Sequence, residues 1–359
     1  MAVSDKKGKA FVGMSGGVDS SVAAALLKKE GYDVTGVFIK VWQPDFLPCP
    51  WREERLDAMR VAAHLRIPFL TFDFEKEYKQ HVVDYMIQEY RAGRTPNPDV
   101  MCNKSVKFGV FLEKATAMGA DFVATGHYAR TEGANPIKLL AGKDDNKDQT
   151  YFLWTLTQKQ LAHILFPIGP YKKDTVRELA RNFGLSTAEK KDSQGVCFIG
   201  KLDLKEFLEH FIHASPGDVL DKQGNIIGSH DGALFYTIGE RHGFTIKKQS
   251  IHELPRYVVS KDMEANTITV VSRAPEQPTE SEKETIDLLS TNWISGNAPE
   301  SQKIFQARVR YRQKLFSCTI KGTDSLCQAH ILDQHETAAP GQSFVFYDRD
   351  ECLGGGIVA

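Results

Sequence analysis

Gly13-Met14-Ser15-Gly16-Gly17-Val18-Asp19-Ser20-Ser21 stands between a short apolar run, Ala10–Met14, and a small-residue helical stretch, Ser20–Glu30, closed by Gly31. Adjacent glycines at a strand-to-helix junction let the backbone approach a ligand closely, and amides at a helix N-terminus form an anion site. Ser15, Ser20 and Ser21 add hydroxyl donors for phosphate oxygens. Asp19 repels phosphate unless a cation lies between them, so Mg²⁺ is the expected companion there. No G-x-x-x-x-G-K-[ST] is present, so this is not a Walker A loop. The plainer alternative is a tight glycine turn with serine caps, but a serine-flanked double glycine at such a junction is much rarer than a simple turn.

Outward from the loop the chain alternates strand and helix. Asp33–Trp42, Phe69–Phe74 and Asp121–Gly126 read as strands; Glu53–Leu65, Glu75–Tyr90 and Lys104–Met118 read as helices. That alternation predicts an α/β domain with a doubly wound parallel sheet covered on both faces. Gly133–Lys147 is polar and turn-rich and is expected to be a mobile surface segment. Asp174–Phe183 reads as a helix with Thr175 and Glu178 at capping-box spacing and Gly184 as its stop. After the short helix Leu204–Phe211 the character changes to short segments broken by turns such as Lys222–Asn225 and Ser229–Gly232. From Thr285 the strand-and-turn pattern suits a small β-barrel. The expected division is a nucleotide-binding domain over 1–203, a mainly-β central domain over 204–278 and a C-terminal barrel over 279–359. The Pro- and Glu-rich Ala274–Lys283 links the last two.

Composition narrows the class. At 42% hydrophobic and 25% charged, the 359-residue chain is of ordinary globular make-up. It has no apolar run of membrane-spanning length, and a polar start at Met1–Ala10 gives no signal peptide. The cytosol and a monomer are the default expectations. Six cysteines form no C-x-x-C and no zinc spacing, so one with a role is expected to be a reactive thiol. A net charge of −1 gives no global attraction to nucleic acid, so RNA binding needs local basic surfaces.

Two segments supply candidate thiols. Gly93-Arg94-Thr95-Pro96-Asn97-Pro98-Asp99-Val100-Met101-Cys102-Asn103 is a proline-studded loop that leads into a helix, with Cys102 at its positive end and Asp99 three residues earlier. Asp192-Ser193-Gln194-Gly195-Val196-Cys197-Phe198-Ile199-Gly200 places a glycine turn just before its cysteine. A buried hydrophobe is the usual reading of one cysteine, and loops rich in Gly, Pro and Asp weaken it for these two. Sulfur insertion needs two thiols: one carries sulfur as a persulfide, the other attacks it and ends in a disulfide. Cys49, Cys318, Cys327 and Cys352 have no such surroundings and read as structural or incidental.

The Gly13–Ser20 loop resembles the S-G-G-x-D-S signature of the PP-loop ATP pyrophosphatases. Over nearly its whole length the chain resembles the tRNA-specific 2-thiouridylases, the MnmA/TrmU family. The matching motifs are Gly13–Ser20, Gly93–Asn103, Ala124–Ala129, Lys147–Leu153, Asp192–Gly200, Tyr236–Gly239, Arg310–Arg312, Pro340–Gln342 and Cys352–Gly356. The resemblance implies ATP-dependent 2-thiolation of the wobble uridine of tRNA. ATP would be held by Gly13, Met14, Ser15, Gly16, Gly17, Val18, Asp19 and Ser20, with Ile39 and Gly126 lining the adenosine. Cys102 resembles the nucleophile and Cys197 the persulfide carrier, while Asn97, Pro98 and Asp99 would meet the target base. His127, Lys147, Asp148, Gln149, Arg310, Tyr311 and Gln342 match positions that touch tRNA. The implied sulfur donor is a cysteine desulfurase or a sulfur-relay protein. The sequence departs from the family pattern at Glu240–Lys248, at Ser250–Leu254 and at Pro44–Trp51.

Two basic surfaces are candidates for the RNA. Arg308, Arg310, Arg312 and Lys314 alternate so that a strand there would carry all four charges on one face. Lys172, Lys173, Lys190 and Lys191 form a second group near the Cys197 segment. Either set reads equally well as ordinary solvated surface. The rivals are an amide-forming PP-loop synthetase, which has no use for Cys102 and Cys197, an iron–sulfur thiolase, which needs clustered cysteines, and a non-catalytic RNA-binding or sulfur-carrier protein, which has no use for the ATP loop.

Overall fold

The computed structural model describes residues 7–47, 51–191, 204–247, 254–272, 285–323, 326–333 and 337–359. Cys49, the Cys197 segment and the linker Ala274–Lys283 lie outside these residues. The N-terminal part is a five-stranded parallel sheet. Its strands β1 (Lys9–Gly13), β2 (Asp33–Lys40), β3 (Phe69–Asp73) and β4 (Phe122–Ala124) stand in the order β3-β2-β1-β4. β1 and β2 are buried almost throughout, as strands covered on both faces must be. Helix α1 (Val18–Lys29) lies on this sheet through Val22, Ala23, Ala24 and Ala25, whose small side chains allow close approach. Helix α2 is Trp51–His64, and α3 is the helical run 75–91.

The next helix, α4, runs over 98–117 and begins earlier than the expected Lys104. Asn97 is its N-cap, accepting from the Val100 amide at 3.2 Å, and Pro98 occupies the first turn. Asn followed by Pro and Asp is a helix-start signal, so the proline that suggested a loop is the first residue of the helix. The winding loosens to a π-type helix over Cys102–Val110.

Gly133–Lys147 is not a free surface loop. Strands β5 (Ala129–Glu132) and β6 (Lys138–Ala141) form a hairpin whose second strand pairs with the last strand of the C-terminal barrel. The chain then adds the edge strand β7 (Ile164–Leu165) beside β4. Helix α5 (Gln158–Leu161) is closed by a capping box between Thr157 and Gln160. Helix α6 spans Lys173–Asn182, and the expected box from Thr175 does not form because the N-cap is Lys172. Its first amide, on Lys173, is instead capped from a distance by Asp144 Oδ2 at 2.9 Å. Gly184, at φ +66°, ends the helix as expected.

Helix α7 (Leu204–Glu209) leads into a second sheet of β8 (Gly217–Leu220), β9 (Ile226–His230), β10 (Thr245–Ile246), β11 (Tyr257–Asp262) and β12 (Thr267–Val271), ordered β10-β9-β8-β12-β11. Its small core is Val219, Ala233, Tyr236, Val258, Ile268 and Val270. Within the altered Pro44–Trp51 stretch Phe46 stacks on His210 at 3.7 Å, and just before it Trp42 packs on Phe211. The third unit comprises β13 (Thr285–Trp293), β14 (Ile304–Arg308), β15 (Phe316–Thr323), β16 (Leu326–Ile331), β17 (Ser343–Asp348) and β18 (Glu351–Val358). Pairing of β13 with β18 closes it into a six-stranded antiparallel barrel. Cys318, Cys327 and Cys352 are buried in it, and burial pushes the Cys318 and Cys352 thiols up to about 12.

The α/β part and the barrel share one buried polar joint. Asp148 and Arg308, 4% and 8% exposed, form an ion pair, and Arg308 Nε also donates to the Tyr347 hydroxyl at 3.1 Å. The Tyr151 hydroxyl is shared by the carbonyls of Val309 (2.7 Å) and Ser343 (3.1 Å), and Trp154 Nε1 donates to Ser343 Oγ. Arg308→Ala strands the Asp148 carboxylate in this joint and is expected to cost about 3–5 kcal/mol. Asp148→Asn combined with Arg308→Met is expected to recover most of that loss in denaturant unfolding; equal losses in the single and double variants would mean that the charge pair itself is not what the joint needs.

Candidate active site

The sheet order puts β1 between β2 on one side and β4 on the other, so crossovers leave β1 in opposite directions. A crevice therefore opens at the carboxyl ends of β1 and β4, the place where such sheets bind ligands. The Gly13–Ser20 loop lies at that point. Gly16 has φ +72°, and a Cβ there would stand 2.3 Å from the Glu54 carbonyl, so only glycine fits the turn. Gly17 opens α1 with no side-chain cap, which leaves the first-turn amides for a bound anion. Met14 and Val18 are buried, so only their backbones face the crevice. Ser20 Oγ accepts from the Ser15 amide at 3.2 Å, whereas Ser21 Oγ turns inward to the Gly17 carbonyl at 2.7 Å. On the flanking strands Ile39 approaches Gly13, and Gly126 lies so close to α1 that a Cβ would fall 2.7 Å from the Ser20 nitrogen.

Asp19 carries a surprise for the metal expectation. Lys173 Nζ donates to both of its carboxylate oxygens at 2.8 Å, and the Tyr128 hydroxyl donates to Oδ1 at 2.8 Å. A lysine fills the position in which Mg²⁺ was expected, and among the described residues no group of three or more His, Cys, Asp or Glu side chains is arranged to hold a metal. One carboxylate paired with a lysine is not by itself a metal site, and no step below is taken through the ion. Lys173, read from sequence as a surface lysine, is buried; Lys190 pairs with Asp57 at 2.7 Å; Lys172 and Lys191 remain exposed.

The thiol side is built on the start of α4. Pro98, Asp99 and Cys102 stand within the first five residues of that helix, Asp99 and Cys102 three apart and therefore on neighbouring positions of one face. Cys102 is buried and is not in a disulfide. Asp99 is half-buried, and burial raises its carboxyl above the usual range, partly offset by the Lys107 ammonium. Asn97 also hydrogen-bonds the Tyr151 hydroxyl, and buried Asn103 donates to the Phe152 carbonyl at 3.2 Å. Just upstream, the Thr95 amide donates to the Pro340 carbonyl at 2.8 Å and Thr95 Oγ1 meets Thr237 Oγ1 at 3.0 Å. The segment is thus held by the barrel and by the second sheet together.

A single stretch joins the two halves. Gly126 packs on Asp19 and Ser20, and the next residue, His127, sets its ring 5.7 Å from that of Phe108 on α4. The loop and the cysteine-bearing helix are therefore packed against the same short stretch of chain.

Among the residues matched to RNA contacts, Lys147, Gln149, Arg310, Tyr311 and Gln342 are partly exposed. Asp148 and His127 are not available at the surface. Asp148 is consumed by Arg308, and His127 is 7% exposed, hydrogen-bonded to Thr125 Oγ1 at 2.7 Å and held neutral by burial. The predicted cationic strand also fails. β14 stops at Arg308, which points inward, and Arg312 turns with φ +64° to donate to the Asn146 carbonyl. Arg310 donates to the Ile238 carbonyl at 3.0 Å. Tyr128 and the partnering role of Lys173 were missed, since a tyrosine after a strand and two adjacent lysines give no sign of which side chain turns inward.

An open parallel sheet with an anion loop at its switch point, carrying two β units, defines a nucleotide-loop α/β enzyme with appended β domains. Family models match residues 8–201 as a tRNA methyl transferase HUP domain, 205–272 as a tRNA methyl transferase PRC-barrel domain and 283–358 as an aminomethyltransferase beta-barrel domain. The chain is 45% identical to the tRNA-specific 2-thiouridylase MnmA of Francisella philomiragia subsp. philomiragia, covering 98% of this chain and 99% of that one. It is 46% identical to that of Geobacillus thermodenitrificans (98% and 94% covered) and 44% identical to that of Listeria welshimeri (100% and 96%). The chain belongs to the tRNA-specific 2-thiouridylase family and is a tRNA-uridine sulfurtransferase. No helix among the described residues is long and apolar enough to cross a membrane.

The Asp99 environment has a consequence for stability. A carboxyl raised in the folded state disfavours folding once it ionises, so wild type loses stability as pH rises from the unfolded value, about 3.9, through the folded one. Asp99→Asn is expected to raise the melting temperature at pH 7 relative to wild type, with the gain shrinking toward about pH 4. A larger penalty for the variant at pH 7 than at acid pH would reverse the sign assigned to this site.

Proposed function

We propose that the protein carries out ATP-dependent 2-thiolation of the wobble uridine of tRNA. The observation that carries this reading is the stretch Gly126–His127, which packs on the anion loop at one residue and against the helix bearing Asp99 and Cys102 at the next. ATP fits the loop: the turn is reduced to glycine at Gly16, and the first-turn amides of α1 lack a side-chain cap. The residues that would hold it are Gly13 to Ser20, with Ile39 and Gly126 on the adenosine side.

Uridine O2 attacks the α-phosphorus of ATP, the bond to the bridging oxygen breaks, and pyrophosphate leaves with the electron pair. The proton on uridine N3 must depart in this step, and the Asp99 carboxylate, its pKa raised by burial, is suited to receive it. Cys102 thiolate then attacks the inner sulfur of a persulfide on Cys197. Hydrosulfide is released and a Cys102–Cys197 disulfide remains. Hydrosulfide adds at C2, the C2–O2 bond breaks, and AMP departs with that pair. A thiol reductant restores both cysteines, and a cysteine desulfurase or sulfur-relay protein reloads Cys197. Asn97, Pro98 and Asp99 position the base, while Lys147, Gln149, Arg310, Tyr311 and Gln342 meet the RNA; Asp148 and His127 support those positions from inside.

Purified protein, ATP, unmodified tRNA and a desulfurase with cysteine are expected to yield 2-thiouridine by nucleoside mass spectrometry. Cys102→Ala and Cys197→Ala are expected to remove the product, and Asp99→Asn to slow it by about a hundredfold or more. Full activity in Cys197→Ala with desulfurase-derived sulfur would sink the persulfide route, and pyrophosphate release with a small carboxylate but not with tRNA would favour an amide-forming synthetase.

A further inference from the structure

Glu240 opens the stretch at which the sequence departs from the family pattern, and its carboxylate has a definite place in the central unit. Glu240 Oε2 accepts from the Thr237 amide at 2.9 Å, and the Glu240 amide donates back to the Thr237 carbonyl at 3.0 Å. The turn so formed is laid on β11, where the Gly239 amide donates to the Val258 carbonyl and the Val258 amide to the Glu240 carbonyl, each at 2.8 Å. Further along β11, Lys261 Nζ donates to the Tyr236 carbonyl at 2.7 Å. Burial draws this half-buried ammonium down to about 8, and the Glu240 charge works against that shift. The same turn therefore offers the lysine a carbonyl and a carboxylate, which offset the cost of taking its charge out of water.

The turn is also the central unit's hold on the chain that leads to Cys102. Thr237 Oγ1 meets Thr95 Oγ1 at 3.0 Å, just ahead of the Asn97 N-cap. The hydroxyl of buried Tyr90 is pushed up by burial first and by the Glu240 charge second, so that carboxylate acts on the end of α3. Just beyond Lys261, Met263 lies against Gly93, where a Cβ would fall 2.7 Å from Met263 Cγ. β11 and the turn thus bear together on residues 90–95, and Lys261 is the side chain that ties one to the other.

We propose that Lys261 is a positioning residue for the helix that bears Asp99 and Cys102: its ammonium pins the Tyr236–Glu240 turn to β11, so that Thr237 braces Thr95 and sets the first turn of α4. The inference rests on the thiolation reading above and deepens it. Without the ammonium, the Tyr236 carbonyl loses this donor and the Glu240 carboxylate loses a countercharge beside buried Tyr90. The turn then relaxes, and the brace on Thr95 relaxes with it. A small displacement of groups that must meet a reacting base costs rate far more than it costs binding. The anion loop packs on α2 and on Gly126 instead, so ATP binding does not depend on this turn.

Steady-state thiolation of unmodified tRNA by the full-length protein, with ATP and a desulfurase with cysteine, tests this. Lys261→Met is expected to lower kcat by about tenfold or more while KM for ATP holds, and Lys261→Arg to keep most of the rate. Thr237→Val, which removes the hydroxyl that meets Thr95, is expected to lower kcat as well. Adding Lys261→Met to Thr237→Val is then expected to cost little more, because both act through one contact. Hydrogen exchange at the Val100 amide, which donates to Asn97, is expected to quicken in Lys261→Met and not in Lys261→Arg. Should Lys261→Met fail to fold, Glu240→Gln with Lys261→Met removes both charges together and carries the same expectations. Wild-type kcat in Lys261→Met, or losses that multiply in the variant with Thr237→Val, overturn the inference alone. Wild-type protein that makes no 2-thiouridine overturns the thiolation reading, and unchanged Val100 exchange in Lys261→Met would overturn the brace itself.

Discussion

The buried pair of Asp148 and Arg308 is the constraint from which the rest of the site's geometry descends. A carboxylate and a guanidinium that are both more than nine-tenths buried must find each other, and here one comes from the α/β part and the other from the end of a barrel strand. Once they meet, the residues that follow Asp148 are committed. Tyr151 reaches the Val309 and Ser343 carbonyls, Trp154 reaches Ser343, and Asn292 donates to the carbonyls of Trp154 and Leu156. That fixes Phe152, whose carbonyl holds Asn103, the residue beside Cys102. The barrel is thus tied to the residue beside the cysteine through a short chain of hydrogen bonds. Burying polar groups costs stability when they are unpaired; the donors of this chain find acceptors, and the cost falls on the buried Asn103 Oδ1, which has no hydrogen-bond partner among the described residues.

The same logic explains why three units are needed for one site. Arg94 and Thr95 precede the active helix, and Thr95 is tied to Pro340 of the barrel and Thr237 of the central unit. Arg310 returns the contact by donating to the Ile238 carbonyl, which sits beside that threonine. Gly341 has φ +89° and no room for a Cβ beside Arg94 and Thr95, so its backbone lies directly on the loop. A helix whose first turn carries the chemistry is therefore clamped just ahead of its N-cap, where an unrestrained helix frays most easily.

Much of this was legible in the sequence, and what was not has a common cause. The parallel sheet followed from β-branched and apolar runs spaced by helices, and the loop from two glycines at a strand–helix junction. Local pattern reads backbone state well because it depends on near neighbours. It failed where a partner lay far along the chain. Thr175 and Glu178 have capping-box spacing, but Asp144 captured the helix start. Arg308 to Lys314 alternate as a strand would, but Arg308 was drawn inward by Asp148 and the strand ended there. Gly133–Lys147 reads as loop because its hairpin pairs with β18, more than two hundred residues later. The proline at Asn97-Pro98 misled in the opposite way, since a local signal for a helix start was present and was read as a loop.

A protein of net charge −1 that handles two polyanions has to sort its cations by depth. The structure separates them into two sets. Arg308, Lys173 and Lys190 are each matched to one carboxylate, Asp148, Asp19 and Asp57, and so add nothing to the field seen from outside. Lys172, Lys191, Arg312 and Lys314 are exposed and add to the long-range field. The inner set differs in what surrounds each pair. Asp148 and Arg308 are locked in by Tyr347 and Thr150, whereas Asp19 lies at the mouth of an anion loop with 30% of its side chain exposed. A charge pair sealed on all sides serves the fold; one that opens on a ligand site stays within reach of the ligand's charge.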